Sequence, residues 1–452
     1  MFEFSRELKR LFQADAPKDG LTGGDLSLLE LLDLNLIAAE GRAADIAAGR
    51  VSAQDRPMRQ LEAAGVWREI ARRTGDPIAL RRSASAAELA ANAFKAEHRT
   101  QGWARARGEQ AAVATLGAAL FVEEGLLAAA DIAYTEAAAA GGTGMPGQLG
   151  DLGRLVIEAR MAAATADRGA VLALAARFDA PIRALELHGR RRAAGRLAAA
   201  DARGERARFL TDCGARLKDP MLLRLALDGL APALARLDPA YEPVCWARIV
   251  TLRAAARTAL ADMDGEIGEV AEVINELLKV IEYVGRDHSP LDWANAQTTL
   301  AGALHLLAEA GGGREDAAFD QAIGCLDRAL TVFNVQPALK ARASASYNRA
   351  SLLVRRAELA GDLAALDEAE AAMRVELAAS NPAGDPVGWA VRQLNFARLY
   401  EARLSLTGRD RGERRSAALA LNTALDVFGE HGLRSLADVA ARGLERLKLV
   451  HG

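Results

Sequence analysis

Pro243-Val-Cys-Trp246, Pro290-Leu-Asp-Trp293 and Pro386-Val-Gly-Trp389 are three copies of one phrase, with a bare Pro337 between the second and the third. The four prolines fall 47, 47 and 49 residues apart. A fixed period of this size marks helical hairpins stacked into a solenoid. Proline suits the first turn of a helix, where its missing N–H has no intrahelical partner to lose. Ser289 and Asp385, directly before two of these prolines, are expected to serve as N-caps. The tryptophan three residues on lies one turn inside the first helix. It is large enough to fill the seam between neighbouring hairpins.

A second register follows the same period. A small residue, another seven positions on, an apolar residue next and a larger apolar residue three further recur as Ala226/Ala233/Leu234/Leu237, Val273/Val280/Ile281/Val284 and Ala322/Ala329/Leu330/Phe333. The pattern decays at Ala369/Glu376/Leu377/Ser380 and returns at Ala417/Ala424/Leu425/Phe428. Such offsets share one helical face, and the small members let two helices approach closely. The decayed copy belongs to the unit with Lys340 where the tryptophan should stand. That unit is expected to be the loosest of the array. Glycine-containing breaks at 311–316, 361–362 and 408–412 separate the two helices of each unit.

With these residues in view, the stretch Leu291 to Leu304 followed by Gln321 to Leu330 resembles bacterial tetratricopeptide repeats of a long-loop type. Trp389-Ala-Val-Arg-Gln-Leu-Asn-Phe-Ala397 agrees with the first half of that pattern, and Ser346-Tyr-Asn-Arg-Ala350 is similar to a variant of it. The resemblance covers about 240–430 and departs at Val250, Lys340 and Glu376. It implies a right-handed superhelix whose first helices line a concave binding face. On that implication the candidate contacts are Asn295, Thr298 and His305 in one unit, Ser351 and Arg355 in the next, and Arg398 and Glu401 in the last. Pro243, Trp246, Pro290, Trp293, Pro337, Pro386 and Trp389 are read as structural.

Composition agrees with a helical array. Hydrophobic residues make up 51% and aromatics 5%, with Ala and Leu prominent, which favours helices over strands. Basic and acidic residues nearly cancel, 57 against 60, so a general polyanion binder is disfavoured. The three cysteines, Cys213, Cys245 and Cys325, form no CxxC pair and suggest neither a zinc site nor a disulfide framework. They fit a reduced, cytoplasmic setting. No run approaches the length of a membrane-spanning segment.

The first half is helical by pattern but less periodic. Leu26 to Ala48 reads as one helix, opened by Gly24-Asp25. Ser52 to Asp55 reads as a capping box before a helix that ends at Gly75, and Asp76-Pro77 starts another. A further pair spans about Gln101 to Ala140. Gly141 to Gly150 is the clearest break and contains a literal GxGxxG at Gly142–Gly147. A dinucleotide fingerprint needs a strand before it, whereas an alanine-rich helix precedes this one, so the stretch reads as a hairpin closure or lobe linker.

No catalytic constellation stands out. The six histidines are scattered, and no HExxH, GxSxG or P-loop string occurs. The basic stretch from Arg190-Arg-Arg192 through Arg196, Arg203, Arg206 and Arg208 reads as a solvated helix face, with an acidic-partner or nucleic-acid patch as its sharper alternative. Residues 1–12 place Phe4, Leu8, Leu11 and Phe12 on one helical face. That face either caps the array or docks on a partner or membrane surface.

The expected chain is therefore all-α, a right-handed superhelical solenoid of tetratricopeptide-like hairpins with a lobe boundary allowed near Gly141–Gly153. Its parts are an amphipathic segment at 1–20, a degenerate helical region at 21–145 and the repeat array at 146–452. The expected function is a non-catalytic adaptor for a protein or peptide partner in a groove formed mainly by 200–430, with no cofactor and no metal. Nucleic acid is disfavoured, and membrane contact is expected only through residues 1–12. The alternative is a regulatory sensor whose array binds a small molecule or signal peptide and changes partner affinity.

Overall fold

The structure is a computed structural model that describes residues 26–52, 55–121, 123, 125–189, 193–310, 315–335, 339–430 and 434–449. Among them every regular element is a helix. A short 3-10 turn, η1 (Leu26–Leu31), precedes α1 (Leu34–Arg50), α2 (Arg56–Thr74), α3 (Pro77–Ala96), α4 (Thr100–Phe121) and α5 (Gly125–Gly141). Then come α6 (Met145–Ala162), α7 (Arg168–Arg177), α8 (Asp179–Gly189), α9 (Ala193–Leu217), α10 (Pro220–Leu234), α11 (Pro243–Asp264) and α12 (Val270–Tyr283). The chain finishes with α13 (Pro290–Glu309), α14 (Glu315–Phe333), α15 (Leu339–Ala360), α16 (Leu363–Ala378), α17 (Pro386–Thr407), α18 (Glu413–Glu430) and α19 (Arg434–Leu449).

Consecutive helices pack as hairpins, and each first helix also touches the first helix of the next unit: α2, α4, α6, α9, α11, α13, α15, α17 and α19 in turn. This unbroken succession makes the chain an all-α solenoid. The unit opened by α6 differs in having its second arm divided into α7 and α8. Residues 1–12, Gly24-Asp25, Arg190–Arg192, the glycines 311–313 and Pro337, for which the sequence raised expectations, lie outside the described residues.

Local chemistry sets the starts and stops. The carboxylates of Asp76, Asp219 and Asp385 accept backbone N–H groups of the first turns of α3, α10 and α17. Ser289 departs from expectation. Its hydroxyl donates to the Asp292 carboxylate at 2.5 Å and makes no cap to the backbone. The serine thereby holds Asp292 in place. Only half of the expected capping box at Ser52 to Asp55 forms: the Ser52 oxygen accepts the Asp55 amide, but the Asp55 carboxylate accepts the Ser52 hydroxyl instead of its backbone N–H. At its other end α2 closes at Gly75 with φ 73°, a left-handed conformation that glycine adopts without strain.

Leu26 to Ala48 is not one helix. Asp33 accepts the Leu36 amide at 2.8 Å and starts α1, while Arg73 takes the carbonyl oxygens of Leu29 and Leu32. Those carbonyls are thus engaged by a side chain from α2, and the turn stops as 3-10.

The small-residue register is the packing surface of the second helices. Ala226, Ala233, Val273, Val280, Ala322, Ala329, Ala417 and Ala424 are buried, as are Leu237, Val284, Phe333 and Phe428. In α16 the buried residues are Leu366, Ala369, Glu370 and Met373, a turn earlier than the decayed register at Glu376 and Ser380. Trp246 sits edge-on to Tyr283 of its own hairpin, with ring centroids 5.3 Å apart, and packs beside Leu234 of the preceding one. It occupies the seam. Trp293 packs against the large central core, and Trp389 is part-exposed.

Gly141 to Gly153 forms a tight crossing. A Cβ at Gly150 would meet the backbone of Tyr134 and Ala138 at 2.7–2.8 Å, and one at Gly153 would enter the Tyr134 ring. These glycines let α6 lie directly on α5.

Candidate functional site

The inner side of the solenoid is identified by what crosses it. From α2, Arg72 forms a two-pronged pair with Asp201 of α9 at 3.0 and 3.1 Å. Glu69 accepts from Arg73 at 2.9 Å and lies 3.5 Å from Arg248 of α11. Arg248 in turn pairs with Asp292 of α13 at 2.9 Å. α2 thus engages α9 and α11 through ion pairs and also packs on α13, and the face it lies across is taken as the inner side. Further along, Leu116, Leu120 and Phe121 of α4 join the core built on α13 and α15.

The strap η1 enters the same space. Glu30 is buried, and its carboxylate accepts the Val244 and Cys245 amides of α11 at 2.8 and 2.9 Å. The Glu30 carbonyl meets the His288 ring at 2.8 Å, and the Leu34 amide donates to the Asp287 carbonyl.

These groups titrate in opposite senses. Burial, with the nearby Glu69 charge, pushes Glu30 up to about 7 against the pull of Arg248, the Cys245 amide and Arg73. Burial also opposes ionisation of Glu69, but Arg248, Arg73 and Arg72 together bring it down to about 2. Burial pushes the Cys245 thiol well up, so it is no nucleophile at neutral pH.

The expected groove at 200–430 is therefore half filled by the chain itself. The inner face of α9, α11 and the start of α13 is covered by η1 and α2. The continuation over α15, α17 and α19 carries a ladder of ion pairs between first helices. Arg355 of α15 grips Glu309 of α13 with two hydrogen bonds, at 2.7 and 3.0 Å, and reaches Glu358 at 3.2 Å. Arg398 of α17 donates to the same Glu358 at 2.6 Å, and Arg446 of α19 donates to Glu401 at 3.1 Å.

Each rung lies on the side away from the second helices. Arg349 and Arg356 of α15 reach Asp327, Glu368 and Asp320 on α14 and α16. Ser351 and Arg355 lie roughly half a turn round from Arg349 at about 100° per residue. On α17 the division repeats: Arg403 reaches Asp367 and Glu370 on α16, whereas Arg398 and Glu401 face first helices.

Four of the candidate residues, His305, Arg355, Arg398 and Glu401, join this ladder. His305 lies 3.4 Å from Glu309 and leans on Phe319. Asn295 is exposed on α13. Thr298 bonds to its own helix at the Ala294 carbonyl, and the Ser351 hydroxyl is buried without a partner among the described residues. Glu309, Glu358 and Arg446 were missed, as was the whole Glu30–Glu69–Arg248 cluster. The signal for the ladder was available. Arg248–Asp292, Glu309–Arg355, Glu358–Arg398 and Glu401–Arg446 are opposite charges 44, 46, 40 and 45 residues apart, close to one repeat.

No family model matches the chain, and no curated protein matches it. Among solved structures it is similar to a Rap protein complexed with competence and sporulation factor, at 12% identity and a TM-score of 0.46 over 88% of this chain and 98% of that one. It is similar also to the human IFIT1 dimer with PPP-AAAA, at 10% identity and a TM-score of 0.45 over 97% and 96%. A circular tandem repeat protein aligns over 91% and 88% at 16% identity and a TM-score of 0.21.

Proposed function

We propose that the chain is a non-catalytic binding scaffold that holds a protein or peptide segment along the inner face of α15, α17 and α19. The supporting observation is the ladder Glu309–Arg355–Glu358–Arg398 with Glu401–Arg446, which continues an inner face that the chain's own α2 already uses for binding. Both signs of charge are present and mutually paired. Such a lining suits a peptide, whose main chain offers donors and acceptors alike. A polyanion would need a surplus of cations. The test is site-specific photocrosslinking from inner-face positions in the native cell, set against positions on the outer helices.

A second reading, the regulatory sensor, is favoured by one observation. Glu30, the residue that fastens η1 to α11, titrates near neutrality, so small changes around it bias how firmly the strap is held. In that reading a bound small molecule or signal peptide changes the compactness of the array, which small-angle scattering would register.

A further inference from the structure

Outside the inner face, three arginines converge on one cavity. A space of about 230 Å³ between α8, α9 and α10 is lined by Glu186, Arg196, Arg203 and Arg236 over Ala199 and Ala200. Glu186 is the sole carboxylate among the described residues of that lining. Arg203 holds it at 2.8 and 3.0 Å and donates a third bond to the Gly229 carbonyl. Arg236 lies 3.5 Å from the same Glu186 oxygen and is half-exposed. Arg196 sends one end of its guanidinium to Glu242, outside the lining, and its Nε is buried without a partner among the described residues.

One carboxylate thus serves two guanidiniums, and a third offers an unused donor. Guanidinium forks match the planar oxygens of carboxylate and phosphate, and they are strongest where water is partly excluded. The small side chains of Ala199 and Ala200 leave the room. The cavity is remote from the ladder and turned away from α2, because Arg203 is roughly 200° round α9 from Asp201.

We propose that this cavity binds the oxyanion group of a small soluble ligand, a phosphate or a carboxylate, between Arg196 and Arg236. Glu186 positions Arg203 and competes with the entering anion for the guanidiniums. The proposal stands independently of the inner-face reading.

The test is calorimetric titration of the full chain at constant ionic strength with inorganic phosphate and, separately, with malonate. Saturable binding of one equivalent is expected for at least one of them, and which one binds identifies the oxyanion. Arg236→Ala, at a half-exposed position, should weaken binding about tenfold, roughly one charge-assisted hydrogen bond. Glu186→Gln keeps an acceptor for Arg203 but removes the competing charge, and should tighten binding by about as much. Absence of saturable binding with both anions would overturn the proposal. So would binding that neither substitution alters.

Discussion

The Glu30 carboxylate accepts the Val244 amide at 2.8 Å although 214 residues separate the two along the chain. A side chain from the first described turn thereby caps a helix in the middle of the solenoid. The contact ties the inner strap to the array, and it carries a pH dependence.

The unfolded Glu30 carboxyl titrates near 4.5 and the folded one at about 7, so the folded protein holds that proton more tightly. Its contribution to stability is complete below pH 4.5 and is lost as the pH rises to about 7, an effect of about 3 kcal/mol. Thermal unfolding between pH 5 and 8 should show this slope. Glu30→Gln should flatten it, leaving the variant at least as stable as the wild type at pH 8. A slope unchanged in Glu30→Gln would contradict the assignment.

Glu69 runs the other way. Its folded value is about 2, so its contribution is present above pH 4.5 and lost as the pH falls toward 2. Glu69→Gln leaves the fully buried Arg73 and the nearby Arg248 short of a counter-charge and should cost about 3–5 kcal/mol in urea unfolding. It also removes the repulsion that helps raise Glu30, so the neutral-pH slope should shift to lower pH. If the slope stays in place, the two carboxylates are not coupled.

Gly150→Ala places a methyl against the backbone of α5, at 2.7 Å from the Ala138 nitrogen and 2.8 Å from the Tyr134 oxygen. Backbone cannot swing aside as a side chain can. A loss of about 1–3 kcal/mol is expected from such overpacking. Unchanged denaturation midpoints would mean that α5 and α6 are not held in this close crossing.

Arg355→Ala removes the guanidinium shared by Glu309 and Glu358 in a partly exposed setting. Exposed ion pairs contribute little, so stability should fall by no more than ~1 kcal/mol. If the ladder is a binding face, partner affinity should fall far more than stability. A drop in stability with undiminished partner binding would make these pairs purely structural.

The solenoid was legible because hairpin packing is written locally. A proline at a helix start, a tryptophan one turn in and alanines seven apart each depend on residues within one unit. The ladder was legible in half. Arg355, Arg398 and Glu401 were picked from the first helices, but their partners lie a full repeat away and need the stacking to be known. The strap was not legible. Glu30 is visible only as one charge inside Leu28-Leu29-Glu30-Leu31-Leu32, and nothing local names Val244 as its destination. The same holds for Ser289, whose cap position predicts that its oxygen accepts a backbone N–H, whereas its hydroxyl is turned to donate to Asp292.

The most direct test of the inner-face account is a photocrosslinking amino acid placed in turn at Arg398 and Arg446, exposed on the inner face, and at Val375 and Leu419, which are exposed on second helices. The full-length protein in its native cell should give one common crosslinked partner from the two inner positions, and none from Val375 or Leu419. The inner crosslinks should fade in Arg355→Ala. Crosslinks arising from the outer positions, or equally from both sides, would contradict the claim that this solenoid binds through its first helices.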